Sequence, residues 1–376
     1  MVSPAASWSL DSVVQVVTRR WCLQEVAVEL FLSSGHAHLL AFADTPARAA
    51  FLKALAACHL PGRIEPDSLS EAMSQWRSGA ITNWEYLMRL NGLGGRSYND
   101  LMQYPVLPFV LADYTSRILD LTRPETFRDL ARPMAVQNKA REQHFVNHYN
   151  NLGAARREGC SPLVSRAAHH YPSLYSNSGG VLHYLVRVPP FTQLFLKYQD
   201  NNFDMPDRTF HSLPTTWRLI TKDSFTDVKE LIPELFYLAE MFHNNEGLEL
   251  GVRQCGAGID SVELPAWAAD ARLFTLIHRQ ALEARVVADR LPHWLDLVFG
   301  CKQLGQPAID AINVFPACTY YGFDPCALED PKDRTAAATM VRTYGQAPRQ
   351  LLRTPHPSLP PALHALPADE PQVWSG

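Results

Sequence analysis

The first 66 residues show the alternation of apolar and polar side chains that is typical of β-strands. Three short runs rich in valine, leucine and phenylalanine occupy residues 13–18, 25–32 and 38–42. The sequence Ser33-Ser34-Gly35 between the last two runs is a hairpin signal. A helix is predicted next, because Thr45 fits an N-cap with proline behind it and apolar residues follow at helical spacing. Since three strands cannot close a sandwich or barrel, we expect the rest of the chain to cover this unit.

From residue 67 the pattern changes to short helices joined by long irregular stretches. Two Ser/Thr-x-x-Glu capping boxes predict helix starts, each followed by a glycine that would end the helix: Ser68 to Glu71 with Gly79, and Thr82 to Glu85 with Gly92. Apolar residues at helical spacing predict further helices over residues 135–157, 228–242, 273–287 and 294–299. Residues 202–214 follow neither period but contain Phe203, Met205 and Phe210, which are too apolar to remain in water. We therefore expect a core built partly of irregular, extended backbone held by side-chain hydrogen bonds.

Composition narrows the class of protein. Hydrophobic residues make up 47% of the 376 residues and charged residues 19%, so apolar surface suffices for a folded core. The 28 prolines disfavour long helices. We predict a mainly α-helical fold with irregular extended core segments over residues 67–345, preceded at 1–66 by a partial β unit that ends in a helix. Seven prolines lie within residues 348–371, and we expect residues 346–376 to be a flexible tail.

Charge and cysteine usage exclude several classes of partner. The net charge of −4 gives the chain no overall field for nucleic acid or an anionic membrane. The N-terminus lacks a secretory signal, and no apolar run reaches the roughly 18 residues that a membrane span requires. Seven cysteines without a Cys-x-x-Cys pair are typical of reduced thiols. We expect a cytoplasmic protein without a nucleic acid partner.

No motif for a metal, a cofactor or a nucleophile stands out, and we predict none of them. His144 and His148 share a helical face, but two ligands are too few for a zinc site. Residues 92–97 (GLGGRS) lack the spacing of a P-loop and predict a structural turn. Two acidic pairs lie beside cations and are expected to form salt bridges: Asp204/Asp207 with Arg208, and Glu230/Glu234 with Lys229.

A set of polar residues interrupts the apolar runs. Its members are Asn91, Arg96, Asn99, Asp100, Asp113, Asp207, Arg208, Asp227 and Glu230. Because buried polar groups need partners, we interpret the set as a structural hydrogen-bond network of the irregular core. A catalytic site is the alternative, and it requires the charged members to converge in one pocket with displaced pKa values.

Several long motifs carry a family resemblance. They are ITNWEYL at residues 81–87, GRSYNDLMQYP at 95–105, FRDL at 127–130, YSNSG at 175–179, PFT at 190–192, FDMPDR at 203–208, DVKELIPE at 227–234 and WLDLVFG at 294–300. Together they resemble the BEACH domain over about residues 67–345. Three further motifs resemble its lysosomal trafficking regulator-like members: LIHRQALE at 276–283, AINVF at 311–315 and TYGQ at 343–346. Residues 1–66 then resemble the C-terminal part of the PH-like domain that precedes BEACH in this family.

The resemblance implies a non-enzymatic scaffold or adaptor in vesicle traffic and in the organisation of lysosomes and lysosome-related organelles. It also implies that trafficking proteins bind in a groove between the PH-like and BEACH domains, with peripheral association at endosomal or lysosomal membranes. WD40 repeats usually follow in the family, so we expect the chain to be a fragment or short product of a larger protein. Two alternatives remain: an enzyme built on the polar set, and a lipid-binding module that uses Arg19, Arg20, Arg48 and Lys53.

Overall fold

The computed structural model describes residues 7–157, 167–360 and 373–375. The N-terminal unit is an antiparallel meander of β1 (Val13–Trp21), β2 (Gln24–Leu32) and β3 (Ala37–Ala41), followed by helix α1 (Thr45–Ala56). Helix α1 packs on the sheet face that carries Val28 and Leu30. The predicted strands and helix are confirmed. The N-cap is Asp44 rather than Thr45, because the Asp44 carboxylate accepts a hydrogen bond from the N–H of Ala47.

The rest of the described chain is mainly helical, so the predicted fold class is confirmed. Its helices are α2 (Leu69–Arg77), α3 (Asn83–Leu93), α4 (Glu142–Arg157), α5 (Ser178–Tyr184), α6 (Phe191–Tyr198), α7 (Leu213–Arg218), α8 (Ala271–Glu283), α9 (Arg285–Val298), α10 (Gly305–Asp310) and α11 (Pro331–Thr343). A two-stranded sheet pairs β4 (Ile118–Asp120) with β5 (Val373–Ser375). Across the described ranges, no helix combines the length and the apolar composition that a bilayer crossing would need.

The predicted helix at residues 228–242 is wrong. The chain there forms two short 3-10 turns, and Leu231 forms a backbone bridge with Leu107 on a distant segment. Pro233 has no N–H to donate to a preceding carbonyl and clashes with a helix interior. The segment therefore crosses the core as an extended stretch up to Ile232 followed by the two 3-10 turns, although its apolar residues are spaced as in a helix.

Four other helix boundaries differ from the prediction. Helix α3 continues past Gly92, and Gly95 makes the turn instead with a φ of +88°. Helices α8 and α9 are separated by Ala284, whose ψ of 146° is extended. The short helix predicted at residues 294–299 is the last part of α9. Helix α4 begins only at Glu142, after two 3-10 turns.

The core contains extended backbone, as predicted. In residues 202–214, on which that prediction rests, Phe210 is buried, but Met205 is 54% exposed, so the expectation that Met205 is buried is wrong. Residues 104–111 form no helix or continuous strand, yet each of them is buried. Asn91 supports this segment, because its side chain donates to the carbonyl of Val106 and accepts from the N–H of Val106, both at 2.9 Å. Leu107 and Leu231 exchange two backbone hydrogen bonds of 3.0 Å. Buried backbone outside regular elements is thus paired, as the free energy of burial requires.

The prediction of a flexible tail is wrong for residues 346–360. Gln346, Ala347 and His356 are buried, and the N–H of Leu351 donates to the carbonyl of Phe299 at 2.7 Å. Prolines lack an N–H, so this extended run leaves few donors unsatisfied while its side chains fill the surface of the helical domain. The part of the predicted tail at residues 361–372 lies outside the described residues.

Candidate functional site

The sheet meets the helical domain through a buried ion pair. Arg19 Nε donates to Glu29 Oε2 at 2.7 Å between neighbouring strands. Glu29 Oε1 also accepts from Ser97 Oγ and, at 2.9 Å, from Asn99 Nδ2. Arg19 Nη1 donates to the carbonyl of Gly92 at 2.7 Å. Since buried charges are costly without partners, this network fixes the sheet against the end of α3.

The segment that follows α11 closes the other side of this junction. Arg20 Nη2 donates to the carbonyl of Ala347 at 3.0 Å, and the Arg20 carbonyl accepts from Gln103 Nε2 at 2.8 Å. The N–H of Leu23 donates to Gln346 Oε1 at 3.0 Å. These bonds brace the sheet, the helical domain and residues 346–360 against one another.

Between β1 and α3 the junction leaves a groove of about 400 Å³. Its sheet wall includes Val17 and Phe31, and its helix wall includes Met88 and Leu93. The groove is therefore partly apolar, and it is preformed by two rigid elements. Such concave, partly apolar surfaces are the usual place for a ligand or a partner side chain.

The described lining residues of the groove include four arginines and one aspartate, and three of the arginines have carboxylate partners: Arg19 with Glu29, Arg89 with Asp67 and Arg349 with Glu25. Its cations are Arg19, Arg20, Arg89 and Arg349, and its carboxylate is Asp67. Arg20 is 1% exposed, and its Nε and Nη1 have no hydrogen-bond partner within the described part of the chain. Burial, together with the nearby charge of Arg349, lowers the pKa of Arg20 to about 10, so the guanidinium remains charged at neutral pH.

Three members of the predicted polar set lie at this junction. Asn99 binds the Glu29 carboxylate as described above. Arg96 is buried, and its Nη1 donates to the carbonyl of Gln346 at 2.9 Å. The Asp100 carboxylate accepts at 2.9 Å from the N–H of Met102 and from a glutamine side chain. Burial raises the pKa of Asp100.

Glu230 lies in the core of the helical domain, away from that group. Arg128 grips its carboxylate with two hydrogen bonds of 2.6 and 2.8 Å, and Trp294 Nε1 donates to it at 3.1 Å. Asn91 supports residues 104–111, as described above. Arg128 itself is buried, so this is a fully enclosed bidentate pair.

The remaining members make local contacts near the surface. Asp113 accepts from the N–H groups of Thr115 and Ser116; Asp207 pairs with Arg253; Arg208 pairs with Asp204; and Asp227 pairs with Lys229. The predicted salt bridge between Lys229 and Glu230 is therefore wrong, because each has another partner. The set is divided into separate groups. Arg208 and Asp227 line one cavity of about 460 Å³, together with their partners Asp204 and Lys229, whereas Arg96, Asp100 and Glu230 do not line it.

The histidines and basic residues singled out in the sequence have structural surroundings. The ring of His144 stacks on Phe225 with centroids 3.8 Å apart. Among the described residues, no group of three or more His, Cys, Asp or Glu side chains could hold a metal ion. Arg19 and Arg20 are buried and Arg48 pairs with Glu25, so these cations are engaged inside the protein rather than offered to a lipid surface.

Sequence reasoning missed several residues that build the junction: Glu29, Ser97, Gln103, Gln346 and Arg349. The sequence does contain a signal for Glu29. This carboxylate interrupts an otherwise apolar strand, and the preceding strand carries two arginines, Arg19 and Arg20, that could pair with it. The two glutamines carry no local signal, since their partners lie far away in the sequence.

Comparisons with known proteins identify the two units. The family described as Beige/BEACH domain matches residues 74–359, and the family described as PH domain associated with Beige/BEACH matches residues 3–56. The chain is 50% identical to human lysosomal-trafficking regulator over 366 residues, covering 96% of this chain and 10% of that protein. It is 54% identical to the Drosophila melanogaster protein of the same name over 78% of this chain and 8% of that protein.

A mouse relative extends the comparison to a second group. WD repeat- and FYVE domain-containing protein 4 is 41% identical over 90% of this chain and 11% of that protein. The chain spans about a tenth of the length of these curated relatives. Because the BEACH match covers most of the chain, including residues 346–359, the chain belongs to the BEACH domain family.

Proposed function

We propose that this chain is a non-enzymatic interaction module of a trafficking regulator, and that the groove between β1 and α3 receives a partner protein. The observation that carries the proposal is the groove itself, because two braced elements form it and line it with apolar side chains and with arginines, of which Arg20 has N–H groups without a partner among the described residues. Surfaces with these properties bind partners without large rearrangement.

The surroundings of the polar set support a non-enzymatic role. A catalytic site needs titratable groups that face a common space, where substrate can reach them. Here Glu230 is enclosed by Arg128 and Trp294, while Asp100 is bound to the backbone near the sheet. These residues act in the proposal as supports for the irregular core and the junction.

The names of the relatives support a role in lysosomal traffic. Two of them are lysosomal-trafficking regulators that match most of this chain. We therefore place the module in vesicle traffic and in the organisation of lysosomes or lysosome-related organelles. The chain would lie on the cytoplasmic side and reach endosomal or lysosomal membranes peripherally, through its protein partner.

Proximity labelling in cells tests the proposal. The 376-residue chain is compared with an Arg89→Glu/Arg349→Glu double variant, in which two groove cations become acidic. We expect the variant to lose labelling of endosomal and lysosomal trafficking proteins, because reversed charge opposes the partner. The matched control reverses Arg123 and Arg218, which are 67% and 58% exposed, also have carboxylate neighbours, and do not line the groove. Equal labelling by all three proteins would contradict a role for the groove.

A further inference from the structure

Strand β1 forms an edge of the three-stranded sheet. The N–H of Phe42 donates to the carbonyl of Val26, which shows that even-numbered residues of β2 bond towards β3. Odd-numbered residues of β2 therefore bond towards β1. Since Val17 lies opposite Glu29, odd-numbered residues of β1 bond towards β2. The backbone N–H and C=O groups of even-numbered residues in β1 point away from the sheet.

This edge is closed at both ends and open in the middle. The carbonyl of Val14 accepts from the N–H of Ile64 at 2.7 Å, and the carbonyl of Arg20 accepts from a glutamine side chain at 2.8 Å. Between them, the outward backbone groups of Val16 and Thr18 have no partner within the described residues. Two N–H and two C=O groups are thus available for an added strand.

The groove lies beside this open stretch: Thr18 lines it, and Val16 lies between the lining residues Gln15 and Val17 without being one of them. Val17, Thr18 and Arg19 all line it, which includes side chains from both faces of β1 and places the strand edge in the opening. A residue of a packed strand occupies roughly 160 Å³, from a rise of about 3.3 Å, a strand spacing of about 4.8 Å and a layer of about 10 Å. A groove of about 400 Å³ therefore has room for at least two residues of an extended chain.

The residues that line the groove determine which side chains a bound segment should carry. Residues two apart on a strand share a face, and one face of an added strand would look towards α3. Met88 and Leu93 offer an apolar contact there, while Arg89 and Arg349, which also have the carboxylate neighbours Asp67 and Glu25, offer N–H donors. A segment with an apolar residue at position i and an acidic residue at position i+2 could make both the apolar contact and the contact with arginine.

We infer that the partner binds by strand addition: an extended segment with this apolar-x-acidic pattern pairs with the open edge of β1 at Val16 and Thr18. The inference rests on the proposed function of the groove and adds how the partner is held. Backbone hydrogen bonds supply affinity in this binding mode, and the alternate side chains supply specificity.

A selection on the intact chain tests the inference. A phage library of random heptapeptides is selected on the 376-residue protein, and enriched peptides are measured by fluorescence anisotropy. We expect the apolar-x-acidic pattern to be enriched, and Thr18→Pro to weaken binding at least about 10-fold, because proline removes an outward N–H without breaking a bond to β2. Leu39→Pro is the matched control at the opposite sheet edge, where Leu39 also bonds away from β2, and it should bind as the wild type does.

N-methylation of the peptide repeats the test on the unaltered protein. Single N-methyl groups are placed at each amide of an enriched peptide in turn. We expect losses of at least about 10-fold at alternate positions, because only every second amide of an added strand faces β1. A library that enriches no peptide, or peptides whose affinity lacks this alternation, would overturn strand addition.

Charge exchange tests the side-chain pattern. Arg89→Glu should lower the affinity for a peptide that carries the acidic residue. Replacing that acidic residue with lysine should restore binding to the variant. Arg123→Glu serves as the distant control. No effect of Arg89→Glu would refute the acidic position.

The inference and the proposed function fail in different ways. If the groove variant loses its cellular partners while peptides bind without alternation, strand addition is wrong and the groove remains the binding site. If cellular labelling is unchanged by charge reversal in the groove, the proposed function is wrong whatever the peptides show.

Discussion

The Arg19–Glu29 pair shows how single residues hold the junction together. Both side chains are almost wholly buried, and the carboxylate collects donors from the sheet and from the loop after α3. A buried charge that loses its partner costs far more than a surface pair contributes. The loss of either Arg19 or Glu29 alone is therefore expected to lower the stability of the protein.

Glu29→Gln is expected to lower the free energy of unfolding by about 3 kcal/mol, because it leaves Arg19 as an uncompensated buried charge. Urea unfolding followed by tryptophan fluorescence measures the change. Asp67→Asn is the control, since Asp67 is half exposed and lies 3.7 Å from Arg89, and its loss should stay below about 0.5 kcal/mol. Equal losses of unfolding free energy in the two variants would show that the buried pair contributes no more to stability than the exposed one.

The pH dependence of stability is expected to carry a contribution from His278. Burial lowers its pKa to about 4, against about 6.5 in an unfolded chain. Between these values the unfolded chain binds the proton more readily, so stability is lost as pH falls from about 6.5 towards 4. His278→Gln keeps a donor for the carbonyl of Leu235 and removes the titration. Its melting temperature should fall less steeply between pH 7 and pH 4, and parallel profiles for the two proteins would contradict the assignment.

At the scale of elements, one extended segment without regular secondary structure contributes contacts to the folded domain as a helix would. Residues 346–360 follow α11 and bond to α3, to the end of α9 and to the sheet. His356 Nε2 lies 2.7 Å from the hydroxyl of Tyr86. The backbone N–H of His356 donates to the Asp296 carboxylate at 2.8 Å. The segment therefore belongs to the folded domain.

Removal of residues 346–376 is expected to destabilise the protein strongly, because Arg96 and Asp296 lose partners and the covered apolar surface meets water. Differential scanning calorimetry should show a loss of the cooperative transition or a melting temperature lower by more than about 10 °C. A chain ending at residue 360 is the control and should retain the transition, since it keeps these contacts. Similar melting of the two truncated chains would show that residues 346–360 are dispensable.

At the scale of the whole molecule, the N-terminal sheet and the helical domain are joined by buried charges rather than by a flexible linker. The three strands are covered on one face by α1 and on the other by the end of α3 and by residues 346–349. The groove exists only because of this docking, so the proposed partner site is a property of the assembled pair of units, whereas the edge position of β1 follows from the strand order. Their tests accordingly use the complete chain.

Elements whose signals are local can be predicted from the amino-acid sequence. The alternation in β1–β3, the capping box that starts α3 and the presence of irregular backbone in the core are predictable, because neighbours in the chain fix strand period, helix caps and the need for burial. The motifs in the helical domain likewise indicate the BEACH family, which the family match confirms.

The use of the remaining residues depends on contacts that form only in the folded chain. Residues 228–242 have helical spacing but form an extended stretch and two 3-10 turns, because Leu231 pairs with Leu107 and Pro233 cannot continue an α-helix. The proline-rich run after residue 345 is packed, since Arg20 reaches Ala347, 327 positions away in sequence. No local pattern records a partner at that distance, whereas the free energy of burying a charge or a backbone group depends on whether the partner is present. The groove and its open strand edge arise from these long-range pairings.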